Sequence, residues 1–256
     1  MNILITICGR KGSKGVRSKN TRELRGIPLI YYTVAAALQF KDRNPAHRVD
    51  ICVNSDSEQL IQLVSGLEAV TCVKRPEELA RDDSPKIPVI VHSVISMEQN
   101  SRTTYDRVID LDITSPLRKV EDIEAALHKL ESCKNADVVF SVVNARRNPY
   151  FNMVETRDGV SRKIIDSTYV TRQQAPQVYD MNASIYCYRR DSLENRIRRS
   201  PFDGNFDIVL MQDTAVLDID SEEDFELMGV LAEHYFQNEF SVLHDKASEL
   251  HQKKER

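Results

Sequence analysis

A chain of 256 residues, 41% hydrophobic and 29% charged, carries enough apolar material for one large domain with a full core. Its formal net charge of −4 and lack of Trp exclude a general nucleic-acid binder, and no apolar stretch approaches the roughly 20 residues that span a bilayer. The five cysteines, Cys8, Cys52, Cys72, Cys133 and Cys187, show no Cys-x-x-Cys spacing and are expected as buried, reduced thiols; with a strand opening the chain directly, a cytoplasmic protein is expected.

The predicted elements alternate. Residues 3–8 read as strand, 29–39 as helix, 49–53 as strand, 58–65 as helix, 70–74 as strand and 88–99 as helix. Residues 107–111, 120–131 and 137–143 continue as strand, helix and strand. Such alternation predicts an α/β fold with a mainly parallel sheet and helices on both faces. The rhythm lapses over 144–178, where β-like pieces at 151–155 and 161–165 meet at Asp158-Gly159, a hairpin signal. This segment reads as an insertion. Strand returns at 182–188, and 215–219 is expected as the last strand, feeding a helix at Ser221 whose Asp224 completes a capping box. From there the pattern stays helical to about residue 250, with 253–256 as a frayed tail.

The segment 9–20 (GRKGSKGVRSKN) is the most informative in the chain. An apolar strand breaks into Gly9, Gly12 and Gly15, which permit close backbone approach to an anion, interleaved with Arg10, Lys11, Lys14, Arg17 and Lys19. That combination predicts phosphate binding. Lys14 is followed by Gly15 rather than Ser or Thr, so the Walker pattern fails, and glycines three apart do not make a dinucleotide fingerprint. Near the other end, Asp218 and Asp220 flank Ile219; in an extended strand both carboxylates share one face, which suits a hard cation such as Mg²⁺. The six histidines form no His-x-x-x-His pair, and G-x-S-x-G is absent.

Six ordered blocks carry a resemblance: Cys8 to Gly15 with Lys19-Asn20; Asn54-Ser-Asp-Ser57; Arg75-Pro-Glu-Glu-Leu-Ala80; Thr114-Ser-Pro-Leu-Arg118; Arg172-Gln173 with Pro176 and Tyr179; and Asp218-Ile-Asp220. Together they resemble the acylneuraminate cytidylyltransferases, over residues 1–230. Ser84-Pro85-Lys86, Asp112-Ile113, the segment 145–153 and the segment 179–184 are similar to the legionaminic-acid branch rather than the sialic-acid one, which usually has Gln-Pro at 112–113.

The resemblance implies a GT-A-like nucleotidyltransferase sheet at 1–230, with 144–178 as a dimerisation and sugar-capping insertion and 231–256 as a helical extension. It implies transfer of CMP from CTP to the anomeric hydroxyl of a nonulosonic acid, N,N'-diacetyllegionaminic acid first, with Mg²⁺ and release of pyrophosphate, in cell-surface glycan biosynthesis. A sialic-acid enzyme and a non-catalytic CTP-binding homologue are the alternatives, the second suggested by Lys11 where the family usually has Gly. Nucleotide contacts then fall to Arg10, Gly12, Ser13, Lys14, Asn20, Arg75 and Lys86, although Lys86 reads equally as a surface residue of a helix's first turn. Sugar contacts fall to Asp112, Thr114, Ser115, Arg118, Arg172, Gln173 and Tyr179, with Arg172 open to an internal pairing instead. Asp218 and Asp220 are the expected metal ligands, and Lys14, Arg10 and Asp220 the expected catalytic residues. Either carboxylate, or a metal-bound hydroxide, is open as the proton acceptor. The implied partners are CTP, the sugar and a second copy of the chain, with no nucleic acid and no membrane.

Overall fold

The computed structural model describes residues 1–12, 16 and 18–255, apart from the Val216 side chain. Its strands are β1 (Asn2–Gly9), β2 (Glu23–Leu24), β3 (Ile27–Pro28), β4 (Arg48–Ser55), β5 (Val70–Lys74), β6 (Arg107–Leu111), β7 (Val138–Asn144), β8 (Val154–Arg157), β9 (Val160–Lys163), β10 (Tyr179–Arg189) and β11 (Phe206–Leu210). Its helices are α1 (Ile30–Arg43), α2 (Glu58–Val64), α3 (Lys86–Ser101), α4 (Val120–Ser132), α5 (Arg190–Asn195), α6 (Glu222–Tyr235) and α7 (Ser241–Glu255).

β1 is central because its residues are apolar on both faces. Ile3, Ile5 and Ile7 enter one buried cluster, Leu4 the opposite one, as a parallel strand sandwiched between helices requires. Seven strands lie in the order β11-β7-β10-β6-β1-β4-β5. β4, β6 and β1 run parallel, as do β4 with β5 and β7 with β11, while β10 is antiparallel to β6 and β7. Helices α1, α4, α6 and α7 bury their apolar stripes on one face; α3 and α5 cover the other. Each fully buried Leu, Ile or Phe contributes about 1.5–3 kcal/mol. Among the described residues no helix is long and apolar enough to cross a membrane.

The insertion contains the expected hairpin, β8 paired with β9, with Asp158 and Gly159 both at positive φ (52° and 77°). That conformation matches a two-residue primed turn. The capping box at the start of α6 is present as read: the Ser221 hydroxyl accepts from the Asp224 N–H, and the Asp224 carboxylate accepts from the Ser221 N–H.

Three expectations are corrected. The segment 215–219 is not a strand: a 3₁₀ turn at Asp213–Val216 leads into irregular backbone, where Ile219 N donates to the Thr114 carbonyl instead of to a ladder. The last strand is β11, an edge strand whose half-exposed Phe-Asp-Ile-Val-Leu lacks the clean alternation that announces a core strand. The long C-terminal helix is two helices. Phe236 and Phe240 both turn inward at the break, and the Asn238 side chain satisfies the His234 carbonyl where α6 ends. Finally, residues 253–255 are not a frayed tail, since α7 continues to Glu255 and Lys254 Nζ donates to the Ser65 carbonyl.

Cys52 and Cys187 are buried, whereas Cys8, Cys72 and Cys133 are only partly so. Burial pushes the Cys8, Cys52, Cys72 and Cys187 thiols up, Cys187 to about 12, so these four stay protonated at neutral pH.

Candidate active site

The carboxyl ends of β1, β5 and β6 open onto a cleft of about 480 Å³, the position where open α/β sheets bind ligands. Cations and carboxylates line it together: Arg10, Lys19, Arg75 and Lys86 with Asp82, Asp112, Asp218 and Asp220.

The strand-to-loop turn is set by Gly9. A Cβ there would come within 2.5 Å of Leu60 and 3.1 Å of the Asn20 amide, so glycine permits the close packing that brings Asn20 to the loop. Asn20 Nδ2 donates to the Arg10 carbonyl at 3.1 Å, and Arg10 forms an ion pair with Asp82 across the cleft. Gly12 has open space around its Cβ position and no positive φ, so neither demands glycine there. The Lys11 backbone N–H donates to Asp56 at 2.9 Å while its side chain is exposed; the departure from glycine places no bulk in the cleft. Ser13 and Lys14 lie outside the described residues.

Opposite the loop stand Asp218 and Asp220. Although their segment is not a strand, Ile219 is fully buried between them and both aspartates line the cleft. Lys19 Nζ reaches across to this segment, 3.0 Å from Asp220 Oδ1 and hydrogen-bonded to the Ile219 carbonyl. One oxygen of Asp218 is buried with no hydrogen-bond partner. Burial, then the charge of Asp112, pushes Asp218 up to about 6. Among the described residues no three His, Cys, Asp or Glu side chains form a ready metal cluster.

Arg75 is buried and aimed by Asn54: its Nε donates to Asn54 Oδ1 at 2.9 Å and its Nη2 to the Asn54 carbonyl at 3.0 Å. Asn54 is itself held by Ser93 and His92 of α3, which gives His92 a bracing place. Lys86, the first residue of α3, turns inward rather than outward, with Nζ 2.7 Å from an oxygen of both Asp110 and Asp112. Burial alone would depress its pKa, but the two carboxylates outweigh that and raise it. Asp112 is likewise opposed by burial, yet Lys86 and the Thr114 N–H and hydroxyl hold it down at about 2. Thr114 and Ser115 are buried in the same turn. Arg118 is also fully buried, donating to the Ser184 hydroxyl and the Asp112 carbonyl, and it does not line the cleft.

Arg172 and Gln173 line a separate cavity of about 330 Å³ in the insertion, with Asn144, Asn148 and Pro176. Arg172 pairs internally, though with the Ala145 carbonyl at 2.5 Å rather than with an acid. Tyr179, at the start of β10, is 40% exposed. None of these three lines the main cleft.

A family described as "Cytidylyltransferase" matches residues 4–244. The chain belongs to the cytidylyltransferase family. It is 37% identical over 230 residues to the CMP-N,N'-diacetyllegionaminic acid synthase of Campylobacter jejuni, covering 90% of this chain and 94% of that protein. It is 29% identical over 228 residues to the N-acylneuraminate cytidylyltransferase of Escherichia coli O18:K1:H7, covering 88% of this chain and 51% of that one. Among solved structures, CMP:2-keto-3-deoxy-manno-octonic acid synthetase complexed with CTP superposes with a TM-score of 0.64 at 17% identity, over 91% of this chain and 99% of the other. The fold and the nucleotidyltransferase class are those anticipated.

Three residues in or directly beneath this cytidylyltransferase's cleft escape sequence reading as site residues. Lys19 is one cation among five in the loop, and nothing in the spacing reveals that it crosses to Asp220. Asp82 and Asp110 each lie among ordinary neighbours, and only the fold brings them to Arg10 and Lys86.

Proposed function

We propose that this cytidylyltransferase transfers CMP from CTP to the anomeric hydroxyl of a nonulosonic acid, N,N'-diacetyllegionaminic acid, releasing pyrophosphate. The observation that carries the choice of sugar is 37% identity to a synthase named for that sugar, over 94% of its length, whereas the sialic-acid relative is matched over 51% of its length. In-line attack of the sugar oxygen on the α-phosphorus forms the new P–O bond as the pyrophosphate oxygen departs with its electron pair. Phosphate charge is the main obstacle, and positioned cations are the usual remedy. Arg10, Arg75 and Lys14, with the backbone of Gly12 and Ser13, take the triphosphate, and Asn20 the base. Asp218 or Asp220 accepts the proton leaving the sugar hydroxyl.

The unpartnered Asp218 oxygen and the carboxylate of Asp220 in the same cleft fit a divalent cation such as Mg²⁺, which these two side chains would hold. When bound, such an ion neutralises phosphate charge. Thr114 and Asp112 face the sugar from the turn after β6, with the buried Ser115 and Arg118 bracing that turn from beneath. Arg172, Gln173 and Tyr179, remote from this chain's cleft, are proposed to complete a sugar site in a homodimer. The large apolar side chains left exposed on the insertion, Val154, Val160, Ile164 and Val170 among them, support such an interface. Use of CTP supports a cytoplasmic location.

The test is pyrophosphate release from CTP and Mg²⁺ with legionaminic, pseudaminic, neuraminic and 3-deoxy-octulosonic acids. Turnover highest with legionaminic acid and lost in Asp220→Ala is expected. Preference for another acid would overturn the sugar assignment, and CTP binding without turnover across the panel would overturn the transfer itself.

A further inference from the structure

We propose that Asp110 is a positioning residue for this transfer, holding the Lys86 ammonium against Asp112 and thereby fixing the turn that carries Asp218 and Asp220. The proposal rests on the transfer reaction above.

Asp110 is fully buried in β6 and does not line the cleft. One of its oxygens accepts from the Thr6 hydroxyl at 2.7 Å. The other lies 2.7 Å from Lys86 Nζ, a buried ion pair. A carboxylate in such a place carries a desolvation cost that an apolar residue would avoid. Its effect falls on Lys86. A lysine in the first turn of a helix ordinarily extends its head to water; here residues 110 and 112, two apart and on one face, draw it to the cleft floor. Two of its three protons then face carboxylates, leaving one for the cleft.

The chain of contacts continues to the chemistry. The Asp112 oxygen not on Lys86 accepts from the Thr114 hydroxyl and N–H, and the Thr114 carbonyl accepts from Ile219 N at 3.1 Å, between the two aspartates that line the opposite wall. Without Asp110, Lys86 is tied only to the rim carboxylate and free to swing outward with it. Asp110 touches neither nucleotide nor sugar in this arrangement and acts through Lys86.

The test compares wild type, Asp110→Asn, Lys86→Met and the double variant for CTP affinity by calorimetry, for kcat and both KM values, and for thermal unfolding. Asparagine keeps the shape and the Thr6 contact while removing the charge. Asp110→Asn is expected to stay folded at the assay temperature, yet to lose roughly tenfold or more in kcat or in CTP affinity. In the Lys86→Met background the same change is expected to cost nothing further. Thr6→Val, which frees Asp110 from the other side, is expected to show a smaller loss of the same kind and carries the test if the first variant does not fold. Unchanged CTP affinity and kcat, or losses that multiply in the double variant, would overturn the proposal. Should wild type bind CTP but turn over none of the sugars, the reading of function fails, and the CTP titrations of the four proteins still decide the role of Asp110.

Discussion

Asp218 illustrates a residue whose stability and function pull apart. Its carboxyl sits at about 6, above the ordinary 3.8, because burial and the neighbouring Asp112 charge disfavour ionisation. The folded state therefore binds more protons than the unfolded one between those two values. Stability falls as pH rises through that window and stays reduced above it. Asp218→Asn removes the effect, since an amide does not titrate. In the presence of a chelator, the variant is expected to melt higher than wild type near neutral pH, with the gap closing as pH drops below about 4. Turnover is expected to be lost, because an amide is a poor ligand for a hard cation. A melting gap independent of pH, or an active variant, would contradict this account. Asp112 belongs to the same pocket yet behaves oppositely: Lys86 and Thr114 keep it ionised down to about 2.

Short sequence signals specify the elements well where they act locally. Ser221 and Asp224 cap α6 as their spacing foretells, and the cap reaches further than helix stability. The Asp224 carboxylate also accepts from the Asp220 N–H at 3.1 Å, so the cap fixes the backbone of a residue in the cleft. Ser221→Ala is expected to cost about 1 kcal/mol and roughly 2–4 °C in melting temperature. Asp224→Asn is expected to add a fall in kcat at unchanged CTP affinity, because Asp220 loses its anchor. A fall in melting temperature with wild-type kcat in both variants would confine the cap to stability. Signals that depend on distant partners read less well. β11 is legible only once β7 is in place beside it, and the 215–219 segment alternates like a strand although its hydrogen bonds go to Thr114. The break between α6 and α7 carries no Gly or Pro to announce it. The same distinction holds in the site. Arg10, Asn20, Arg75 and the Asp218–Asp220 pair are legible in local motifs and line the cleft, whereas Lys19, Asp82 and Asp110 acquire their places through contacts 72 to 201 residues away in the chain.

For the whole molecule, residues 144–178 are the part whose apolar surface is least covered within the chain. β8 and β9 form an isolated two-stranded sheet, an arrangement marginal in water without packing on at least one face. Val154 and Val160 are 69% and 66% exposed, and their register with Lys163 and Arg157 places them on opposite faces, so the hairpin shows apolar surface on both sides. Val170 nearby is 75% exposed. Beside them, Arg172 and Gln173 line a cavity that does not join the main cleft of their own chain. If a second copy covers this surface and receives these residues in its sugar site, assembly and sugar affinity are coupled while nucleotide affinity is not. Val154→Asp with Val160→Asp is expected to convert a dimer to a monomer in light scattering. CTP affinity is expected to remain unchanged, because the nucleotide cleft lies within one chain, while the KM for the sugar rises by roughly tenfold or more as the partner's contribution is lost. A wild-type monomer that turns over sugar at full rate would refute the coupling, as would a monomeric variant with wild-type sugar KM.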